Sequence, residues 1–428
     1  MSENATPTAA LPGSLAALHT MISADPDLAL AERHRPRLML CETEPYSPLA
    51  FGYTIFREKG QSPSSKFQVR PRPGGISIEY AIWYDWDIQH LYDLEHVWVH
   101  LDAEGEIVSV EASRHGRRVV MERENRICEA DGGRPVLYAE PGKHAHWASG
   151  EEMAECAGRM IAVMCHELAA CEGVHTGNAF VEAGLVKPNV RDHRLARLKL
   201  TRDAFEPSFV FARSSDEHEV ALASWDRLAA WIPQRLENLF ASLPRAVPHL
   251  RAVLLDCGDT IADEATEEKR PGSEVVLRAS LIPGAAAMVR GLAEAGYRLA
   301  LVADGPRETF ENILKPVGLW DVFEAHIISG EIGELKPSTK MFDAAFKALA
   351  LTDADKPFVA MVGNNLSRDI KGANDFGIQS VFFGWSEQRT HIPADPSETP
   401  DHSIFEPSQL LPLLREIEQR LPAGGARS

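Results

Sequence analysis

The chain has 428 residues, 44% of them hydrophobic and 25% charged, which is the composition of a water-soluble globular protein long enough for two cores. Its formal net charge of −18 excludes a nucleic-acid backbone or an anionic membrane surface as the main partner. The six cysteines (Cys41, Cys128, Cys156, Cys165, Cys171 and Cys257) follow no framework spacing, and the start lacks a basic segment leading into an apolar core. Both features predict a cytoplasmic protein with reduced thiols. The longest apolar stretch, around Met160 to Ala170, is broken by His166 and Glu167 and is too short to cross a bilayer.

Residues 1–35 read as a tail followed by a short helix. From 36 to 148 the runs ISIEYAIWYDW, HVWVHLD, EIVSVEAS and RPVLYAE carry strand signals, with turns at Pro73-Gly74-Gly75, at Asp102 to Gly105 and at Asp131-Gly132-Gly133. The stretch LEHVWVHLDAEGEIVSVEAS predicts a hairpin. This domain is therefore expected to be mostly antiparallel β. From 149 to 248 the segments GEEMAECAGRMIAVMCHELAA and ASWDRLAAWIPQRLENLFASL place apolar residues at helical spacing, so a helical extension or bridge is expected. From 249 to 421 apolar strands alternate with amphipathic helices: RAVLLDCG, the helix opened by Pro283-Gly284, RLALVADG, FVAMVG and QSVFFGW. That rhythm predicts a parallel sheet with right-handed crossovers.

Chemistry-bearing residues sit at the ends of those strands. The strand Ala252 to Leu255 runs into Asp256-Cys257-Gly258-Asp259-Thr260, placing a carboxylate where open α/β sheets hold ligands. A second strand ends at Ala303-Asp304-Gly305. Gly333-Glu334-Leu335-Lys336-Pro337 follows, and the last element is Gly363-Asn364-Asn365-Leu366-Ser367-Arg368-Asp369.

In order, spacing and context these four elements resemble the four motifs of the haloacid dehalogenase superfamily, over roughly the last 175 residues. The resemblance implies a Rossmann-like α/β fold and a covalent aspartyl intermediate at Asp256. It implies that Thr260 packs and hydrogen-bonds in the loop after the nucleophile, and that Lys336 neutralises the nucleophile and the transferring group. Phosphate binding would fall to Ala303, Asp304 and Lys336, and Mg²⁺ to Asp256, Gly258, Asn364 and Asp369.

Three positions depart from that pattern. Gly258 stands where the family's phosphatases carry a second aspartate, the general acid for the leaving group, and Asp259 comes one residue too late. A positioned general acid contributes about 10²–10⁴ in rate, so alkyl phosphates are expected to react poorly. Ala303 replaces a hydroxyl residue, and Asn364 replaces an acid. Only about 25 residues separate Asp256 from Pro283, and about 33 separate Ala303 from Lys336. Neither gap holds a folded cap, so an open site that admits a large substrate is expected, unless the N-terminal half covers it.

The N-terminal half carries a second array. His90, Asp93 and Glu95 form an H-x-x-D-x-E pattern leading into a strand, with Asp85 before it and His115-Gly116 after it. This resembles the metal-binding face of the necrosis- and ethylene-inducing protein family, which implies a β-sandwich. It also implies a divalent ion (Mn²⁺, Fe²⁺, Zn²⁺, Mg²⁺ or Ca²⁺) held by Asp85, His90, Asp93, Glu95 and His115. Tyr92 and Leu94 depart from that family's motif, so its toxin activity is not implied. A cluster of Cys165, His166, Cys171 and His175 reads better as buried cysteines on an amphipathic helix than as a zinc site.

Two functional readings follow. One is an Mg²⁺-dependent hydrolase transferring phosphoryl groups through Asp256. The other is a non-catalytic scaffold of the same fold, or a binding protein, with any chemistry at the N-terminal metal site.

Overall fold

A computed structural model describes residues 11–21, 25–123, 126–127, 129–130, 133–175 and 177–422. Cys128 and the Asp131-Gly132 part of one expected turn lie outside the described residues. The chain forms two compact units, Met1–Pro244 and Arg245–Ser428. Among the described residues no helix is long and apolar enough to cross a membrane.

The N-terminal unit is built on a mostly antiparallel sheet. Ala50–Phe56, Ile76–Trp86, His90–Leu101, Ile107–Arg114 and Arg117–Val120 pair in sequence, each strand antiparallel to the next. The expected hairpin forms with Val97 opposite Ala112 and Leu101 opposite Ile107, closed by the Asp102–Gly105 turn. A second sheet joins Arg37–Leu40 to Arg134–Ala139 in parallel, with His146–Trp147 and Arg213–Ser214 at its sides. Leu38 and Leu137 of this sheet share one buried cluster with Ile78, Tyr80, Ile82, Val97 and Val99 of the first. Arg37–Leu40 and Arg134–Ala139 alternate buried and half-buried residues, whereas Ile76–Trp86 and most of His90–Leu101 are buried on both faces.

The stretch after Ser149 is helical, as its spacing predicts. Gly150–Cys165 is capped by the Ser149 hydroxyl, which accepts from the Glu152 N–H, and Trp225–Ala246 runs unbroken through Pro233. The same stretch also returns strands to both sheets. Ala221–Ser224 pairs in parallel with Ala50–Phe56, and Arg213–Ser214 pairs with Met39 and Leu40.

The C-terminal unit holds a six-stranded sheet in the order Ala325–Ile328, Leu299–Ala303, Ala252–Leu255, Val359–Gly363, Gln379–Phe383 and His402–Ile404. Every pairing is parallel. Ala252–Leu255 is wholly buried because helices cover both faces of the sheet. The helices are Ala285–Glu294, Arg307–Leu314, Thr339–Ala348, Lys371–Phe376 and Leu410–Arg420. Strand order reverses at Ala252–Leu255, which lies between Leu299–Ala303 and Val359–Gly363. A ligand crevice forms at the carboxyl ends there.

Between Asp256 and Pro283 the chain makes a turn, a single 3₁₀ turn at Glu264–Thr266 and a two-stranded hairpin, Glu268–Lys269 with Val276–Arg278. The hairpin leans on Arg307–Leu314, where the Val276 N–H donates to the Thr309 hydroxyl at 3.0 Å.

Candidate active site

At the carboxyl ends of these strands lies a cleft of about 1000 Å³. Asp256, Gly258, Glu264, Asp304, Lys336, Asn364, Arg368, Asp369 and Arg389 are among the residues lining it. Asp256 follows the central strand and keeps its register, because its N–H still donates to the Val362 carbonyl at 3.0 Å. Lys336 reaches in from the loop before Thr339–Ala348. Its ammonium is 2.6 Å from Asp256 Oδ1, 2.6 Å from Asp369 Oδ1 and 2.7 Å from the Val302 carbonyl. The backbone N–H of Lys336 donates to Asp304 Oδ1 at 3.0 Å, and Asp304 Oδ2 faces Arg368 at 3.3 Å.

Asp369 sits on the single π-helical turn Leu366–Ile370 and folds back over the strand end. A methyl group at Gly363 would lie 2.3 Å from its Oδ2, so glycine is what lets the carboxylate reach the cleft. Its Oδ2 also accepts from the Asn365 N–H at 2.9 Å.

Burial raises the Asp369 carboxyl to about 7; the Asp256 charge adds to this, and Lys336 opposes it. Burial disfavours the charged form of Lys336, but Asp256, Asp369 and Asp304 outweigh it and hold the ammonium above its ordinary value. Two buried carboxylates thus share one cation, and the cleft is short of positive charge. The side-chain donors here are carboxylate and amide oxygens, and buried Asn364 has no hydrogen-bond partner for its Nδ2 among the described residues. Hard oxygen donors around an excess of negative charge fit a small divalent cation such as Mg²⁺. Gly258 would offer it only a backbone carbonyl.

A family model described as haloacid dehalogenase-like hydrolase matches residues 190–377. The C-terminal part is a hydrolase domain of the haloacid dehalogenase superfamily. The chain is 38% identical over 107 residues to a glyceraldehyde 3-phosphate phosphatase of Pyrococcus abyssi, covering 25% of this chain and 43% of that one. It is 29% identical over 220 residues to a phosphoserine phosphatase of Thermus thermophilus, covering 48% and 80%. The chain spans about half the length of the first curated relatives it matches. Among solved structures, L-2-haloacid dehalogenase from Xanthobacter autotrophicus aligns at 18% identity and a TM-score of 0.31, covering 39% of this chain and 98% of that one.

Within the dehalogenase-superfamily domain two expected residues stand back from the cleft. Thr260 is fully buried, and its hydroxyl makes no hydrogen bond among the described residues, so only its packing matches the expectation. Ala303 is buried in the sheet opposite Ile328. Beside it the Gly305 N–H is already donated to the Ser329 hydroxyl at 2.8 Å. Asp304 is in the cleft, with its carboxylate engaged by Lys336 and Arg368.

Glu264, Arg368 and Arg389 also line the cleft and were not legible as site residues. Arg368 lies next to Asp369, inside a motif already singled out. Glu264 and Arg389 lie 125 positions apart and meet only through the fold.

Four of the five N-terminal residues go to separate partners. Asp85 accepts from Arg235 at 3.0 and 2.5 Å and from Trp83 Nε1 at 3.0 Å. Asp93 Oδ2 is 3.2 Å from His144 Nδ1, Glu95 accepts from the Ser113 hydroxyl, and His115 Nε2 is 3.0 Å from Glu140 Oε1. Burial opposes charge on both members of the Asp93–His144 pair. Their mutual attraction wins, bringing Asp93 to about 2 and, with help from Glu44, His144 to about 10.

Among the described residues, the group whose ligand atoms do gather is His90, Glu172 and His175. The two imidazoles there stack face to face, 4.3 Å apart and 12° from parallel, so their in-plane lone pairs run side by side instead of converging. Cys165 is buried against the Pro141 carbonyl, whereas Cys171 is exposed beyond the helix end.

Proposed function

We propose that the C-terminal domain hydrolyses phosphate monoesters by phosphoryl transfer to Asp256. The observation that carries this reading is the Lys336 ammonium held 2.6 Å from both Asp256 and Asp369, in a cleft at the strand ends. An ammonium there holds one oxygen of Asp256 in place and leaves the other to attack phosphorus. It also offsets the negative charge that would otherwise repel an anionic substrate. Arg368, already turned toward the cleft by Asp304, supplies a further cation for phosphate oxygens. Bound among Asp256, Asn364 and Asp369, Mg²⁺ would add positive charge against the transferring group.

The relatives are named for glyceraldehyde 3-phosphate and phosphoserine, both small phosphomonoesters. With only the 268–278 hairpin as an insert, the cleft leaves room for a phosphate carried on a larger molecule. The deciding measurement is turnover of an aryl or acyl phosphate by Asp256→Asn in the presence of Mg²⁺. Turnover should disappear while the fold, read by circular dichroism, stays intact. Undiminished turnover would exclude the aspartyl intermediate.

A further inference from the structure

The sequence leaves position 258 without an acid for the leaving group. The structure fills that place from another part of the chain. The chain turns here, with the Thr260, Ile261 and Ala262 N–H groups all donating to the Cys257 carbonyl, and Gly258 lines the cleft together with Asp256. A side chain at 258 would project toward Glu264, which lines the same cleft. The space it would occupy is taken by Glu264. The point where a Cβ would stand on Gly258 is 2.1 Å from Glu264 Oε1 and 3.0 Å from its Cδ. That first distance is close to the one separating a Cβ from the carboxyl oxygens of an aspartate. The three nearest atoms to that point all belong to Glu264, so the glycine and the glutamate fit as a pair.

Two contacts hold Glu264 there. Its backbone N–H donates to Asp259 Oδ1 at 2.9 Å, and its Oε2 accepts from Arg389 Nη2 at 2.8 Å. Oε1 is the oxygen over Gly258, and Glu264 lines the cleft beside Asp256. Asp259, the acid nearest in sequence to the vacant position, is excluded. It is fully buried behind the loop, its Oδ1 fastens Glu264, and it does not line the cleft.

We propose that Glu264 is the proton carrier of this site, standing in through space for the acid that position 258 lacks, with Arg389 as its positioning residue. The proposal rests on the phosphoryl-transfer reading of Asp256. In the first step Asp256 attacks phosphorus, the bond between phosphorus and the leaving alcohol's oxygen breaks, and the Glu264 carboxyl gives that oxygen its proton. In the second, water attacks the aspartyl phosphate and the bond from phosphorus to Asp256 breaks. The Glu264 carboxylate takes the proton from water, inorganic phosphate leaves, and both carboxyl groups return to their starting state. No change of oxidation state is involved.

The test compares the full-length protein, with Mg²⁺, on 4-nitrophenyl phosphate and on a simple alkyl phosphate. Glu264→Gln should lower alkyl phosphate turnover by about 10² or more and leave the activated aryl ester much less affected, because a good leaving group needs no proton. Gly258→Asp with Glu264→Ala should restore alkyl phosphate turnover toward wild type, since it returns a carboxyl to the same space. Gly258→Asp alone should be impaired by collision with Glu264. Thermal melts of each variant separate loss of fold from loss of chemistry.

Equal losses on both esters in Glu264→Gln, or no recovery in a folded double variant, would overturn the role of Glu264. Asp256 would keep its own role provided Asp256→Asn is inactive on the aryl ester. Wild type inert on both esters, or Asp256→Asn fully active, would instead overturn the phosphoryl-transfer reading and this inference with it.

Discussion

Replacing Lys336 with methionine keeps most of the side chain's volume and removes the charge between two buried carboxylates. Lys336 is 3% exposed and Asp369 1%, so solvent replaces little of what is lost. Deleting one partner of a buried ion pair costs about 3–5 kcal/mol, because the remaining charge stays desolvated. Here two carboxylates are left facing each other, and the Val302 carbonyl loses a 2.7 Å donor. Against a typical total stability of about 5–15 kcal/mol this is a large fraction.

The sign with pH follows from linkage. With the ammonium beside it Asp369 already sits at about 7, above its unfolded value, and without the ammonium that value rises higher still. The folded state then binds protons that the unfolded state does not, so stability is retained at low pH and lost as pH rises through those values. The deficit of Lys336→Met relative to wild type should therefore be smaller at pH 5 than at pH 7.5 and go on growing as pH rises through the variant's higher value. Amide hydrogen exchange in Ala252–Leu255 and Val359–Gly363, measured in chelator, reads the opening free energy directly. At tenfold per 1.4 kcal/mol, protection should fall by about a hundredfold to a few thousandfold at pH 7.5. Protection within twofold of wild type at pH 7.5, or a deficit that grows on acidification, would refute the reasoning.

Two further outcomes are expected in the N-terminal unit. Burial depresses His96 to about 4 and His146 to about 3; His146 faces Asp93, His144, His96 and Arg114. Both rings fold neutral, so the stability they contribute is present above pH ~6.5. It is lost as pH falls toward 4, at up to about 1.4 kcal/mol per pH unit for each. Chemical denaturation at stepped pH should show that slope, and His96→Gln with His146→Gln should flatten it whatever it does to stability at pH 7.5. Asp85→Ala should lower stability by about 1–3 kcal/mol, through loss of the Arg235 and Trp83 donors, and leave metal content by elemental analysis unchanged. A fall in bound metal would place Asp85 in the ligand set.

Much of this protein is decided locally. The apolar run ending at Asp256, the βαβ alternation after it and the hairpin around Asp102–Gly105 are each set by neighbours within a few residues. Periodicity and turn chemistry report such features faithfully. Asp256, Lys336 and Asp369 were legible for the same reason, since each stands at the end of a strand or beside a turn whose place in the sheet follows from the pattern. Their meeting within 2.6 Å follows once the strands are parallel. Contacts between distant segments were not legible. Whether Thr260 finds a hydrogen-bond partner, which of Asp85, Asp93 and His115 share a neighbour, and that Glu264 fills the space over Gly258 depend on side-chain directions. The tertiary packing alone fixes those, because a residue's reach is about the length of its own side chain while its partner lies tens of positions away. Glu264 and Arg389, 125 positions apart, are joined by the sheet that separates them in sequence, and no local signal in either segment encodes the pairing.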